Sequence, residues 1–163
     1  MIVILPVLLV FAWIEKQNQI KRLKNLDELL EKHTNKQIEK LREKFRCDLI
    51  GEWVSFEGTF STMMNETWTF NEDGSGKIIY RSVMFGEDVD DFKWRRKGEF
   101  NIEIVYFGED ETDSNWVDVR YDFGEIQTDC GSVISLVEVD EENNLKKGFG
   151  ISEIPLSYEG SLD

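Results

Sequence analysis

The sequence contains few of the residues that most often carry enzyme chemistry. Its 163 residues include one histidine and two cysteines. The histidine, His33, lies among Lys and Thr with no Cys or second His in register, which predicts a surface position and not a metal or catalytic role. A Ser-His-Asp set is missing, and Gly74-Ser75-Gly76 lies between two strands as a hairpin turn, not before a helix as a phosphate loop would. The sequence therefore predicts a protein that is not an enzyme and needs no cofactor or metal ion.

Proline is also scarce, with two residues, whereas aromatic residues make up 12% of the chain. This combination is typical of a folded domain with an aromatic core and excludes a largely disordered chain. The two cysteines, Cys47 and Cys130, fit either two buried thiols or one disulfide in an exported domain. The two cysteines therefore do not indicate whether the domain is exported.

The formal net charge of -14 is unevenly distributed along the chain. Residues 15–48 carry ten Lys/Arg and seven Asp/Glu, which leaves nine Lys/Arg and 26 Asp/Glu for residues 49–163. So acidic a C-terminal region repels nucleic acid and anionic lipid, which argues against nucleic-acid binding. A cationic partner is its natural electrostatic match.

Residues 1–14 are apolar throughout and form a segment of their own. As a helix they would span about 21 Å, which is less than the hydrocarbon core of a bilayer. Three interpretations remain open: a membrane anchor, a signal peptide without its usual basic start, or a helix that packs in a core or against a partner. Lys16, Lys21, Arg22 and Lys24 follow this segment, so an anchor would keep the rest of the chain cytoplasmic, whereas a signal would export it.

Residues 15–46 are predicted to form a charged helical stalk, because they contain no Gly or Pro and are rich in Leu, Lys, Glu and Gln. Apolar residues recur at steps of three and four, first from Ile20 to Leu30 and again from Ile38 to Leu49. The pattern lapses at residues 33–36, where we expect a break or a junction between two helices. We expect the second stripe to pack on the following domain.

Residues 47–163 are predicted to form a β-barrel domain. From Gly51 onward the apolar period changes to two, and eight candidate strands follow. They cover residues 51–58, 66–70, 76–83, 91–97, 99–107, 116–123, 131–139 and 146–154. Strands in this order most simply close into an eight-stranded antiparallel up-and-down β-barrel, which leaves no exposed sheet edge. The predicted fold is therefore mainly β, preceded by a long N-terminal helical segment.

Alternation along the strands predicts which side chains face the barrel interior. The inward residues are Trp68, Phe70, Ile78, Tyr80, Phe92, Trp94, Phe100, Ile102, Ile104, Tyr106, Val117, Val119, Tyr121 and Phe123. Trp116, Asp118, Arg120 and Asp122 are predicted to face outward. So aromatic an interior fits either complete packing or a cavity for one small ligand.

The connections between strands predict two unlike ends of the barrel. Short turns join strands two to three, four to five and six to seven, and they share one end. Longer connections, over residues 59–66, 84–92, 107–115 and 140–144, share the other end, where binding sites are usual. Carboxylates are concentrated in the last three of them: Glu87, Asp88, Asp90, Asp91, Glu109, Asp110, Glu111, Asp113, Asp140, Glu141 and Glu142. The first adds the apolar residues Phe60, Met63 and Met64.

Gly51-Glu52-Trp53, at the start of the first strand after a helix, resembles the Gly-x-Trp signature of the lipocalin family. The hairpin from Thr67 to Ile78 and the run from Phe92 to Trp94 are similar to the divergent lipocalin-like domains of bacteria. The resemblance covers Cys47 to about Tyr158, although Thr128-Asp129-Cys130 matches the family's Thr-Asp-Tyr only in part. It implies that Trp53 closes one end of the barrel and that Gly51 lets the backbone turn over it.

Two hypotheses for the function follow. In the first, a lipocalin-like barrel binds a small apolar or amphipathic ligand at its mouth, through Phe60, Met63, Met64, Trp68, Tyr80, Trp94 and Tyr106. In the second, the barrel is an acidic protein-interaction module of the immunity or inhibitor type that neutralises a basic protein. Its partner-binding residues would be Glu87, Asp88, Asp90, Asp91, Glu109, Asp110, Glu111 and Asp113.

Overall fold

The computed structural model describes residues 4–55, 64–106, 108, 115–128, 131–146, 148–150 and 156–160, with the side chains of the helix described from residue 13 onward. These residues form one helix, α1 (Ile4–Lys44), and eight strands. The strands are β1 (Gly51–Ser55), β2 (Met64–Phe70), β3 (Ser75–Ser82), β4 (Gly86–Gly98), β5 (Asn101–Tyr106), β6 (Val117–Thr128), β7 (Gly131–Glu138) and β8 (Leu156–Tyr158).

The helix is continuous, so the expected break at residues 33–36 is wrong. No Gly or Pro interrupts the backbone hydrogen bonds there, and polar side chains do not by themselves end a helix. Gln37 Nε2 lies 2.9 Å from His33 Nε2, one turn away. His33 is exposed, as predicted.

The strands form a closed antiparallel barrel in sequence order, which confirms the predicted fold class. Each strand pairs with the next, and β8 pairs with β1 through Trp53 opposite Tyr158. Because successive strands alternate in direction, the β2–β3 and β4–β5 turns lie at one end, called here the closed end. The β3–β4 turn lies at the other, called here the mouth.

The end of α1 and the residues after it cover the closed end. Leu41, Phe45 and Leu49 are buried in the core, as the second apolar stripe predicted. Trp53 is fully buried against them, with its ring 4.8 Å from that of Phe45, and its indole N–H donates to the Leu49 carbonyl over 2.8 Å. The Tyr121 hydroxyl donates to the Phe45 carbonyl over 2.8 Å. Trp53 therefore closes this end of the barrel.

Arg42 ties the last turns of α1 to the outer face of β6. Its Nε and Nη2 each lie 2.7 Å from one oxygen of Asp122, which makes a bidentate pair. The Asp122 hydrogen bonds outweigh partial burial and raise the pKa of Arg42 above its usual value. Asp122 faces outward, as the alternation predicted.

The middle of the barrel is filled by aromatic rings. Trp68, Phe70, Phe92 and Trp94 are buried and contact one another with ring centroids 5.1 to 6.2 Å apart. The inward prediction is also right for Ile78, Ile102, Ile104, Val119, Tyr121 and Phe123, all of which are buried. Val117, at the mouth end of β6, is exposed instead, because it is the first residue of its strand.

Two predicted boundaries are wrong. Residues 84–92 are not a long connection: β3 ends at Ser82, β4 begins at Gly86, and three residues join them. The eighth strand is Leu156–Tyr158, later than predicted, and the described residues of the predicted span 146–154, which are 146 and 148–150, lie outside it. Phe149, from the predicted strand, is instead fully buried inside the barrel, with its ring 5.7 Å from that of Trp68.

The chain divides into two compact units, Met1–Gln37 and Ile38–Asp163. In the first unit, Leu23, Leu26, Leu29 and Leu30 are exposed to solvent. Among the described residues, no helix is both long enough and apolar enough to cross a membrane.

Candidate functional site

A cavity of about 470 Å³ lies at the mouth, against the ends of β2, β3 and β4. Its size is within the range of small-ligand sites, which is roughly 300 to 1,000 Å³. Apolar, neutral polar and charged side chains share its wall. The lining residues are Met64, Asn65, Glu66, Tyr80, Arg81, Ser82, Phe85, Gly86, Glu87 and Asp88.

The cavity owes its polar wall to strand register. Glu66 on β2 is directly opposite Tyr80 on β3, and Tyr80 is directly opposite Asp88 on β4. The three side chains therefore form one row across the sheet, on the face that also carries buried Trp68 and Ile78. One step deeper, Asp90 is opposite Ile78 and is half-buried. An acidic row thus lies on the inward face, above the aromatic core.

Hydrogen bonds hold parts of this row in place. The indole N–H of Trp68 donates to Glu66 Oε2 over 3.2 Å. Burial and the nearby carboxylates of Glu66, Asp90 and Asp88 raise the pKa of Tyr80 to about 12. Tyr80 is therefore a neutral phenol at physiological pH, with a hydroxyl that can donate a hydrogen bond.

The cation in the wall, Arg81, is already paired. Its Nε donates to Glu87 Oε2 over 3.0 Å, and its Nη1 donates to the Thr67 hydroxyl over 3.1 Å. Arg81 and Glu87 therefore largely neutralise one another, and the charges of Glu66 and Asp88 dominate the rest of the lining.

The apolar part of the wall continues into an exposed turn. Val83, Met84 and Phe85 join β3 to β4 and are 80%, 84% and 85% exposed. The Ser82 hydroxyl oxygen accepts from the backbone N–H groups of Met84 and Phe85, both at 3.3 Å. Three consecutive large apolar residues held in solvent are unusual for a surface that only needs to be soluble.

The structure places two of the predicted ligand residues, Met64 and Tyr80, in the cavity wall. Trp68 lies in the core beneath the cavity and contacts the cavity wall through the hydrogen bond of its indole N–H to Glu66. Tyr106 is half-buried at the mouth end of β5, whereas Trp94 lies near the closed end, where its indole N–H is 3.2 Å from the carbonyls of Asn71 and Ser75. Phe60 and Met63 lie outside the described residues.

The acidic residues that the sequence placed together at one rim lie in different parts of the structure. Glu87, Asp88, Asp90 and Asp91 are not in a loop but on β4, where alternation separates Asp88 and Asp90 from Glu87 and Asp91. Asp140 accepts from the backbone N–H groups of Glu142 and Asn144, and these bonds, led by that of Asn144, lower its pKa. Its carboxylate thus stabilises its own turn. Glu109, Asp110, Glu111 and Asp113 lie outside the described residues.

Several residues of the site were missed from the sequence. Glu66 is the first residue of the predicted second strand and the last of the preceding connection, and its alternation with Trp68 and Phe70 was a usable signal for an inward position. Asn65 and Phe85 carried no such signal, since their positions depend on where β2 and β4 begin. A metal site is not evident either: the part of the chain that the structure describes has no group of three His, Cys, Asp or Glu side chains placed to hold an ion.

The chain was also compared with known proteins. A scan against protein-family models, a search of the curated proteins and a search of the solved structures each found no match.

Proposed function

We propose that this protein is a non-catalytic, lipocalin-like binding protein whose barrel mouth holds a small apolar or amphipathic molecule. The observation that carries the proposal is the cavity of about 470 Å³ at the ends of β2, β3 and β4. Its wall combines apolar surface from Met64 and Phe85 with a few polar groups, which is the usual composition of small-molecule sites.

The barrel supports this function by its division into two parts. The closed end and the middle are packed with buried side chains, including Trp53, Phe123 and Phe149. Such packing gives rigid strands, and a rigid scaffold holds binding groups in place before the ligand arrives. The ligand would then occupy the mouth and would not extend to the Trp53 end.

Two measurements test the proposal. Native mass spectrometry of gently purified protein should detect a bound small molecule, and a neutral apolar dye should bind with a stoichiometry of about one. Met64→Trp, which adds a large ring to the cavity wall, should reduce dye binding by roughly tenfold or more, a loss of about 1.4 kcal/mol. Val133→Trp on β7, which is away from the cavity, is the matched control. Absence of any bound compound together with absence of dye binding would contradict the proposal.

A second candidate function is supported by the exposed turn Val83–Phe85. Exposed apolar residues beside acidic ones resemble the centre and rim of a protein interface, in which apolar anchors bind and charges select the partner. Glu87 and Asp91 follow this turn on the outward face of β4. In this alternative, the turn and β4 bind a basic protein.

This alternative is tested with two variants of the full chain. One replaces Val83, Met84 and Phe85 by Ser, and the other replaces Glu87 and Asp91 by Lys. A genuine basic partner should be retained by the wild type, weakened by the first variant through loss of apolar contact, and weakened by the second in a salt-dependent way. A partner that is retained equally by all three proteins would rule this surface out.

A further inference from the structure

The charge of the cavity wall determines which ligands the mouth can accept. We propose that the mouth cavity selects organic cations, with an ammonium group at Tyr80 between Glu66 and Asp88 and an apolar body against Met64 and Phe85. This inference rests on the proposed small-molecule function and names its ligand class.

The register provides the geometry for one cation. Directly opposed residues on neighbouring antiparallel strands have Cβ atoms about 5 Å apart, so Glu66 and Asp88 flank Tyr80 at about 10 Å from each other. An ammonium group above the phenol ring is then within reach of both carboxylates. It would also face the ring's π electrons, which attract cations.

The described protein leaves these charges unbalanced. Glu66 accepts its bond from the neutral indole of Trp68, and Asp88 accepts one from the backbone N–H of Val89 at 3.0 Å. Neither carboxylate forms an ion pair within the described ranges, while Arg81 is occupied by Glu87. Two carboxylates without a cationic partner beside one cavity create a negative potential there, which attracts a cation and repels an anion. Burial raises the pKa of Tyr80 most, and the carboxylates of Glu66, Asp90 and Asp88 raise it further.

The experiment compares three unbranched ten-carbon compounds with different head groups: decylammonium, neutral decanol and decanoate. Calorimetric titration of the full chain below micelle-forming concentrations should show decylammonium binding at least tenfold more tightly than decanol, with decanoate weakest. The double variant Glu66→Gln and Asp88→Asn preserves side-chain size and should reduce this preference to about threefold or less.

A control separates the local charges from the overall charge. Glu52→Gln with Asp91→Asn removes two carboxylates from exposed positions that do not line the cavity, on β1 and β4. This variant should retain the tenfold preference. Equal binding of decylammonium and decanol to the wild type would overturn the inference and leave the proposed function standing. The same conclusion would follow if the two double variants lost the preference for decylammonium to an equal extent. Binding of none of the three compounds would overturn the proposed function itself.

Discussion

Gly51 has a precise conformational task at the start of β1. Its φ angle is +136°, a conformation that residues with a side chain rarely adopt, and a Cβ atom added there would lie 2.8 Å from the ring of Tyr158. Two residues later, Trp53 is buried beneath the helix end. The glycine therefore allows the backbone to approach Tyr158 closely while the tryptophan fills the closed end.

Gly51→Ala should consequently destabilise the protein by about 2 to 4 kcal/mol, through backbone strain and the contact with Tyr158. The measurement is the free energy of unfolding in urea. Gly98→Ala is the matched control, because a Cβ atom at Gly98 meets nothing within 4 Å, and it should change stability by less than about 0.5 kcal/mol. Equal effects of the two substitutions would contradict this account of Gly51.

Tyr80 gives the folded protein a dependence on alkaline pH. Its pKa is about 12 in the folded state and about 10 in an unfolded chain, so folding favours the protonated phenol. The associated stability is fully present below pH 10 and is lost as the pH rises towards 12. Tyr80→Phe should therefore show a shallower decline of unfolding free energy across this window.

The decline should become shallower but not vanish, because burial also raises the pKa of Tyr121. Urea unfolding at a series of pH values measures it, and the absorbance of tyrosinate gives an independent titration of the folded protein. If Tyr80→Phe and the wild type lose stability in parallel over this range, burial and the acidic row do not raise the pKa of Tyr80 as described.

At the scale of elements, the apolar side chains of α1 differ in solvent exposure along its length. In the unit Met1–Gln37 its leucines are exposed, whereas within the unit Ile38–Asp163 Leu41 is 6% exposed and Phe45 is 2% exposed. A helix that packs on a core gains its stability from buried apolar area, not from helix propensity alone. The last turns of α1 therefore contribute to the stability of the barrel domain.

Alanine substitutions on this one helix test the difference. Leu41→Ala should lower the unfolding free energy of the barrel by about 2 to 4 kcal/mol, because it leaves a cavity in the core. Leu30→Ala removes a side chain that is 56% exposed and should cost less than about 1 kcal/mol. Both are measured by urea unfolding followed through tryptophan fluorescence. A cost for Leu30→Ala as large as that for Leu41→Ala would show that the first apolar stripe is also buried in solution.

Much of the fold could be predicted from alternation, and the exceptions have physical causes. Strands with one apolar face, such as β2 and β6, are evident because burial on one side requires period two. The start of β4 is acidic on both faces, so only its backbone pairing with β3 makes it a strand. Residues 146–154 alternate like a strand, but Phe149 packs inside the barrel, which depends on space left by distant residues.

The cavity was harder to predict than the strands. The sequence pointed to the end of the barrel at which the cavity lies and to Met64 and Tyr80 in its wall, since connection length and inward alternation are local properties. It did not reveal that Glu66 and Asp88 flank one tyrosine, because that depends on the register of three strands. Register is set by turn geometry and packing together, and a shift of one residue in β2 or β4 would move the acid of that strand to the other face.

At the scale of the whole molecule, the compact unit that carries the site begins at Ile38, within the helix. It includes the side chains of Leu41, Phe45 and Leu49, together with the Phe45 and Arg46 carbonyls that accept from Tyr121 and from the backbone of Phe100. The β-strands alone would lack this cover. Their closed end would expose Trp53 and leave those donors without partners.

Two fragments distinguish these possibilities. A fragment that begins at Ile38 should fold and keep the unfolding free energy of the full chain to within about 1 kcal/mol, because it retains every buried residue named above. A fragment that begins at Asp48 loses Leu41 and Phe45, whose removal together should cost at least about 5 kcal/mol. That loss is comparable with the total stability of an ordinary domain, so the shorter fragment should be largely unfolded. Circular dichroism and urea titration measure both, and a stable fragment from Asp48 would show that the strands close without the helix.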